Sequence, residues 1–280
     1  MPELPEVETV VRTLRPRLVG AHLGKLWWSG LGLRMGRPPD LVALEAVIRK
    51  GTVATVRRLA KYILIDVTGR GGRAQGSLIV HLGMTGRLQV VDADRPRVNH
   101  THVVVTLDGA RELRFVDPRR FGWVGGVAAD ALATVPELAE LGPDPLAELT
   151  APMLATALAA SRAPIKAFLL DQRKVAGLGN IYVCEALFRA KVHPSTPAKK
   201  ARGRAPALVA AIREVLELGI NNRGTTLRDY VDADGAAGGN TSALLVYGRA
   251  AEACTVCGGR VSRKVDAGRS TFFCPRCQKR

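Results

Sequence analysis

The sequence predicts an α+β multidomain protein: a β-rich N-terminal domain opened by a helix, then a helical domain, then a metal-pinned tail. Three observations carry this. Short runs rich in Val, Ile, Leu and Thr alternate with turns from about Ala21 to Val127. Beyond residue 150, apolar positions recur at helical spacing. Residues 254–280 hold two Cys-x2-Cys pairs.

The opening helix is read from Val7, Val10, Val11 and Leu14, spaced i, i+3, i+4 and i+7. Pro5 and Glu6 suit its first turn, where a missing N–H costs nothing and a negative charge meets the helix dipole. Strands are expected at Thr52–Val56, Tyr62–Val67, Ser77–Leu82, Arg87–Val91 and His102–Leu107, with a tight hairpin at Asp108-Gly109. Many short strands with frequent turns predict a β-sandwich or barrel. Gly142-Pro143-Asp144-Pro145 reads as an inter-domain connection. Helices follow at Met153–Ala160, Ile165–Asp171, Ile181–Ala190 and Leu208–Leu218, with the glycine-bearing Lys174–Asn180 as a turn between two of them. The expected division is residues 1–130 as the N-terminal domain, 131–150 as a linker, 151–245 as the helical domain and 246–280 as the zinc module. A cleft between domains would be a natural seat for nucleic acid.

At 280 residues and 47% hydrophobic, the chain is long enough for a real core and is not a disordered basic tail. No run of about 18 apolar residues exists, which excludes a membrane-spanning helix. Met1–Thr9 has three glutamates and no apolar stretch, so no secretory signal is expected and the location is cytoplasmic. The 41 Lys and Arg outnumber the 25 Asp and Glu by 16, which predicts attraction to a polyanion, most simply nucleic acid. A coding bias toward Arg and Ala would produce the same excess, and charge says nothing about chemistry.

Cys254-x2-Cys257 and Cys274-x2-Cys277, sixteen residues apart, let four thiolates close a tetrahedral shell around one zinc. Two disulfides would need an oxidising compartment, which nothing in the chain suggests. Cys184, in a helical stretch, reads as a buried apolar residue. The tail carries Arg260, Arg263, Lys264, Arg269, Arg276, Lys279 and Arg280 against one acid, Asp266. That imbalance suits phosphate contact, although a zinc ribbon alone would equally serve protein binding.

The chain resembles the formamidopyrimidine-DNA glycosylase family in six places, in family order and spanning its whole length. They are Met1–Thr9 (MPELPEVET), His81–Gly86 (HLGMTG), Asp117–Gly122 (DPRRFG), Gly177–Tyr182 (GLGNIY), Val246–Arg249 (VYGR) and the four-cysteine tail. The resemblance implies a β-sandwich, a helix–two-turn–helix and a C-terminal zinc finger β-hairpin. It implies a monomeric, bacterial, nucleoid-associated base-excision repair enzyme acting on damaged double-stranded DNA. Such an enzyme removes oxidised purines, both formamidopyrimidines and 8-oxoguanine, and then cleaves the abasic site by β,δ-elimination. One structural zinc is its only cofactor, and no nucleotide cofactor is needed.

The chemistry requires an amine that attacks the sugar C1′ and forms a Schiff base. Removal of Met1 would leave Pro2 with a free secondary amine, and an α-amino group has a reference pKa about 2.5 units below that of lysine. Pro2 is therefore a nucleophile that needs no buried lysine. Glu3 beside it serves as general acid or base in opening the deoxyribose ring. Glu6 and Glu8 suit the helix dipole better, and Glu6 supports the site through structure. The resemblance assigns Lys61 to elimination and lesion contact, against the alternative of a solvated strand-edge lysine. It assigns Arg269 to the phosphates beside the flipped nucleotide, where a guanidinium engages two oxygens at once.

A base inside a duplex must be extruded and the hole filled. Met84, Arg119 and Phe121 match the void-filling and wedge residues; without the motifs, Met84 and Phe121 would read as core. Exposure at a basic surface would separate the two readings. His100, Lys166 and Asn180 match phosphate contacts, with His100 and His102 alternating on one expected strand. Asn180 stands at a turn-to-helix junction that itself favours an anion.

Two departures stand out. The basic residue expected just before Ile165-Lys166 is replaced at Ser161-Arg162, and Arg162 stands as its substitute. The loop Arg223-Gly224-Thr225-Thr226 matches the segment that caps the everted base. Where the family has an aromatic shortly before VYGR, however, this chain has Gly238-Gly239-Asn240. The expectation is that the stretch Gly235–Gly239 loosens recognition of 8-oxoguanine relative to ring-opened purines. The alternatives are an endonuclease VIII-like enzyme for oxidised pyrimidines, which Leu4-Pro5 and Asp117–Phe121 fit less well, and a non-catalytic damage-binding zinc protein, which would not need Pro2, Glu3 and Lys61 together.

Overall fold

The computed structural model describes residues 1–34 and 38–279; Arg280, counted in the basic tail, lies outside the described residues. The chain divides into two units, Met1–Ala139 with Asn222–Gly239, and Glu140–Asn221 with Asn240–Arg280.

The first unit opens with α1 (Leu4–Leu18), whose Val7, Val10, Val11, Leu14 and Leu18 are buried as one face. Pro5 occupies the first turn. There follow β1 (Leu23–Trp28), α2 (Leu41–Ile48), β2 (Thr52–Leu59), β3 (Tyr62–Thr68), β4 (Ala74–His81), β5 (Arg87–Asp92), β6 (Thr101–Leu107), β7 (Arg111–Val116), β8 (Trp123–Ala128) and the short α3 (Pro136–Ala139). They build two four-stranded antiparallel sheets, ordered β1-β6-β7-β5 and β2-β3-β4-β8. Val103, Val105 and Phe115 from one sheet join Ile63, Ile65, Leu78 and Val80 from the other in a single core with α1. Alternate strand residues thus face one shared interior, as packed sheets require, and the result is the β-sandwich. At the β6–β7 hairpin, Asp108 and Gly109 both have positive φ (51° and 77°), and Ala110 N–H closes the turn on the Leu107 carbonyl at 3.1 Å. This is the mirror-image turn that matches strand twist.

Helix α2 lies inside a stretch that reads as strands alone. Asp40 starts it, its carboxylate accepting the Ala43 N–H at 3.0 Å, and Leu44, Val47 and Ile48 are its buried face. Eight residues are too short for helical periodicity to stand out among apolar strands. Residues 222–239, grouped by chain position with the helical domain, fold instead with the first unit: Ala233 joins its core and Tyr230 packs against it.

The second unit contains α4 (Ala151–Ala159), α5 (Ile165–Leu170), α6 (Asn180–Arg189), α7 (Ala205–Asn221) and the hairpin β9 (Ser262–Asp266) and β10 (Arg269–Phe273). Between α5 and α6 the chain makes two turns around Gln172. Its side-chain amide donates to the Leu178 carbonyl (2.8 Å) and its oxygen accepts the Gly177 N–H (3.0 Å). Val175 and Leu178 are buried below, which completes the helix–two-turn–helix. The connecting Gly142-Pro143 is no slack linker. Gly142 N–H donates to the Gln172 carbonyl, and the Pro143 carbonyl accepts the Ala176 N–H.

Glu185 on α6 anchors the segment leading into the cysteine tail. Its buried carboxylate accepts the backbone N–H groups of Leu245, Val246 and Tyr247 at 2.9, 2.9 and 2.8 Å. Hydrogen bonds to a buried charged acceptor are worth more than neutral ones. Glu185→Gln is expected to lower stability by about 2 kcal/mol, read as a lower urea midpoint; an unchanged midpoint would remove this role.

Candidate functional site

The N-terminal residues are not a loose end. Pro2, Glu3 and Glu6 are buried at the start of α1. The Glu6 carboxylate accepts the Glu3 N–H at 2.8 Å through one oxygen and the Thr225 N–H at 2.7 Å through the other. One side chain thus holds both the Pro2-Glu3 end and the loop Arg223–Thr226. Tyr230 adds a second tie, its hydroxyl donating within reach of the Glu6 and Arg223 carbonyls (3.3 and 3.2 Å). Burial beside the Glu6 carboxylate pushes the Tyr230 phenol above its ordinary range.

The loop itself is tightly made. Arg223 and Gly224 have positive φ, and Thr225 pairs with Gly239. Gly238 N–H donates to the Thr226 hydroxyl at 2.8 Å. A Cβ at Gly238 would fall 2.2 Å from the Gly224 carbonyl oxygen. The buried Asp232 carboxylate pairs with Arg223 and accepts the Asp234 and Ala236 N–H groups, both at 2.9 Å. The glycine-rich stretch is therefore close-packed at Gly238, while Gly235 and Gly239 are exposed with room for a Cβ.

Lys61 lies in the two-residue turn between β2 and β3, after Ala60 in left-handed conformation (φ 52°). It is only 6% exposed, which discards the solvated strand-edge alternative. Its charge, with that of Arg34, adds to burial in holding the His81 pKa down at about 4. The Nδ1 of His81 accepts the Gly83 N–H at 3.1 Å, and its ring lies 4.9 Å from that of Tyr62. His81 is thus a neutral imidazole at pH 7.

Met84 and Phe121 are each 39% exposed, and Arg119 is exposed with its guanidinium 4.6 Å from the Phe121 ring centroid. Neither apolar residue is core. The loops that carry them are fastened by Asp117, which is fully buried. Its carboxylate accepts the Thr85 hydroxyl (2.5 Å), the Gly122 N–H (2.7 Å) and the Arg119 N–H (3.3 Å). The loops meet backbone to backbone, since a Cβ on Gly83 would fall 2.4 Å from the Gly122 nitrogen. Sequence reasoning singled out neither Asp117 nor His81 by role, although both lie in the quoted motifs; an acid opening a turn-rich motif was the available signal for Asp117. His100 departs from its expected place. It precedes β6, exposed and with φ 67°, and its carbonyl accepts the Asp117 N–H at 2.9 Å. Only His102 is on the strand, buried, with Nε2 near the Asp117 carbonyl.

In the second unit, α5 and α6 grip β10. Lys166 donates to the Ser270 carbonyl (3.0 Å) and the Thr271 hydroxyl (2.7 Å), and the Asn180 amide donates to the same Ser270 carbonyl (2.8 Å). Burial lowers the Lys166 pKa. Lys166 and Arg269 line one cavity of about 630 Å³. Arg269 and Arg162 are exposed.

Cys254, Cys257, Cys274 and Cys277 place their sulfurs within 4.8 Å of one another, with 3.9 Å from Cys254 to Cys277 and 3.5 Å from Cys257 to Cys274. Four sulfurs at about 2.3 Å from one zinc stand about 3.8 Å apart, so the set fits a structural zinc. Each pair turns as a knuckle, with Gly258 N–H on the Cys254 carbonyl and Gln278 N–H on the Cys274 carbonyl. Cys184 is fully buried in the same apolar cluster as Cys254 and Cys274, as its reading predicts.

Sandwich, helix–two-turn–helix and four-cysteine hairpin together define the class of helix–two-turn–helix DNA glycosylases. Family models match residues 1–124 (formamidopyrimidine-DNA glycosylase N-terminal domain), 141–231 (formamidopyrimidine-DNA glycosylase H2TH domain) and 251–280 (zinc finger found in FPG and IleRS). The formamidopyrimidine-DNA glycosylases of Rhizorhabdus wittichii and Aromatoleum aromaticum are 47% and 46% identical, each over the full length of both chains. The crystal structure of the MutM (Fpg) protein of Thermus thermophilus superposes with a TM-score of 0.85 at 40% identity, covering 99% of this chain and 98% of that one. Lactococcus lactis Fpg in complex with DNA containing an abasic site gives 0.88 at 32% identity, covering 99% and 100%. The chain belongs to the formamidopyrimidine-DNA glycosylase family.

Two outcomes follow for the site. Because His81 is neutral when folded and titrates near 6.5 when unfolded, stability is full above pH 6.5 and falls as pH drops toward 4, by up to about 3 kcal/mol. Denaturant melts at pH 7 and 4.5 are expected to differ less in His81→Gln than in the parent; an equal difference would contradict this. Cys257→Ser is expected to release zinc, measured by a chromophoric chelator, and to weaken DNA binding while the N-terminal unit stays folded; unaltered binding would refute the role.

Proposed function

We propose that this chain is a bifunctional base-excision repair enzyme, excising oxidised purines from duplex DNA and then cleaving the abasic strand. The observation that carries the reading is the buried Pro2-Glu3 pair, held by Glu6 at the head of α1, in a chain whose relatives across its full length are formamidopyrimidine-DNA glycosylases. Once Met1 is removed, the Pro2 nitrogen attacks C1′ of the damaged nucleotide. The base departs as it gains a proton, and ring opening, assisted by Glu3, yields the iminium. β-Elimination of the 3′ phosphate and δ-elimination of the 5′ phosphate follow, with Lys61 serving the elimination and contacting the lesion.

Binding divides by type of contact. Met84, Arg119 and Phe121 fill the space left by the extruded base; an adaptable thioether, a stacked guanidinium and an exposed ring suit an opened stack. His100, Arg162, Lys166, Asn180 and Arg269 position the phosphates without reading sequence. Lys166 and Asn180 also hold the zinc hairpin, so part of their contribution is to keep Arg269 in place. Arg223–Thr226 cap the everted base. A monomer acting in the cytoplasm at the nucleoid fits this work.

Borohydride trapping on duplexes containing 8-oxoguanine or a ring-opened purine tests the proposal. A covalent adduct is expected with the parent and lost in Pro2→Gly, and no adduct on any lesion would sink it. Binding should fall steeply with salt as neutralised phosphates release counterions. Parallel excision rates should favour the ring-opened purine; a strong 8-oxoguanine preference would count against looser capping at the Gly235–Gly239 neck.

A further inference from the structure

Helix α1 has a second stripe besides its apolar one. Glu6, Thr13 and Arg17 stand at i, i+7 and i+11, which at about 100° per residue puts them within roughly 20° of one line about 16 Å long. Together they hold residues 222–239 at two places, the neck at Thr225 and the far end at Ala233-Asp234. Glu6 accepts the Thr225 N–H at 2.7 Å at the neck. Thr13 accepts the Ala233 N–H at 3.3 Å at the far end, where Ala233 itself enters the core. Arg17 pairs with the Asp234 carboxylate at 2.6 Å at the far end.

The helix that follows directly on Pro2-Glu3 is thus also the rail on which the capping segment lies. We infer that Thr13 and Arg17 are positioning residues for base excision. They dock the far end of the segment, so the cap is in place before a base arrives and governs which bases are committed to cleavage. The inference rests on reading Arg223–Thr226 as the cap. Neither residue is needed once the base is gone, because an abasic site presents nothing to cap. Glu6 differs from them, since it also holds Glu3.

The full-length Thr13→Val/Arg17→Ala double variant tests this. Three readouts are amide hydrogen exchange across residues 226–238, single-turnover excision of a ring-opened purine and of 8-oxoguanine, and cleavage of a preformed abasic site. The Arg17–Asp234 pair is half exposed and worth at most about 1 kcal/mol, so exchange is expected to rise and excision to fall by about fivefold. Abasic cleavage should be unchanged. Reversing the pair, with Arg17→Asp and Asp234→Arg together, should restore exchange and excision over the single Arg17→Asp. Unchanged exchange in the double variant would overturn the docking. Faster exchange with undiminished excision would overturn the capping reading while leaving the docking intact. Equal losses of excision and abasic cleavage would mark general damage to the unit and overturn the positioning role.

Discussion

A carboxylate removed from water has to find donors, and at Glu6 the donors are two backbone N–H groups from opposite ends of the chain's first unit. One belongs to Glu3, beside Pro2, and fixes the chain at the head of α1. The other belongs to Thr225 and fixes where the loop around Gly224 lies. Shortening or neutralising Glu6 would strand at least one buried amide, a cost of about 1–3 kcal/mol, and release both partners together. The local geometry of the candidate site hangs on this one group.

The same device recurs. Asp117, Glu185 and Asp232 are buried acids that accept backbone N–H groups and so shape the segments those groups belong to. Glu112 follows another course, pairing in the interior with Arg114 at 2.6 Å. Asp232 does both, accepting two amides and pairing with Arg223. Arg119, Arg162 and Arg269 remain exposed. These exposed guanidinium groups put part of the 16-charge excess where a polyanion can reach it.

Much of this was legible in the sequence, for definable reasons. Strands of the sandwich follow from short runs rich in Val, Ile, Leu and Thr between turns, and the buried face of α1 from a 3.6-residue period. The zinc set follows from cysteine spacing. What stayed hidden depends on neighbours far away in sequence. Nothing local to Lys61 announces that its turn is buried, and His100 falls outside its strand because the chain takes left-handed backbone there. The packing of residues 222–239 on α1 is set by single hydrogen bonds across more than two hundred residues, which no periodicity encodes. Eight-residue α2 fell below the length at which a helical pattern separates from strand-like apolar runs.

The neck of the 222–239 segment treats its two adjacent glycines differently. Gly238 has no room for any side chain, whereas a Cβ on Gly239 would meet nothing nearer than the Asn222 carbonyl oxygen at 3.7 Å, and its backbone is not in the left-handed region. Position 239 is therefore an open socket beside a sealed one. Packing therefore forbids substitution at position 238, while at position 239 a Cβ meets no obstacle, so the two neighbouring glycines answer to different constraints.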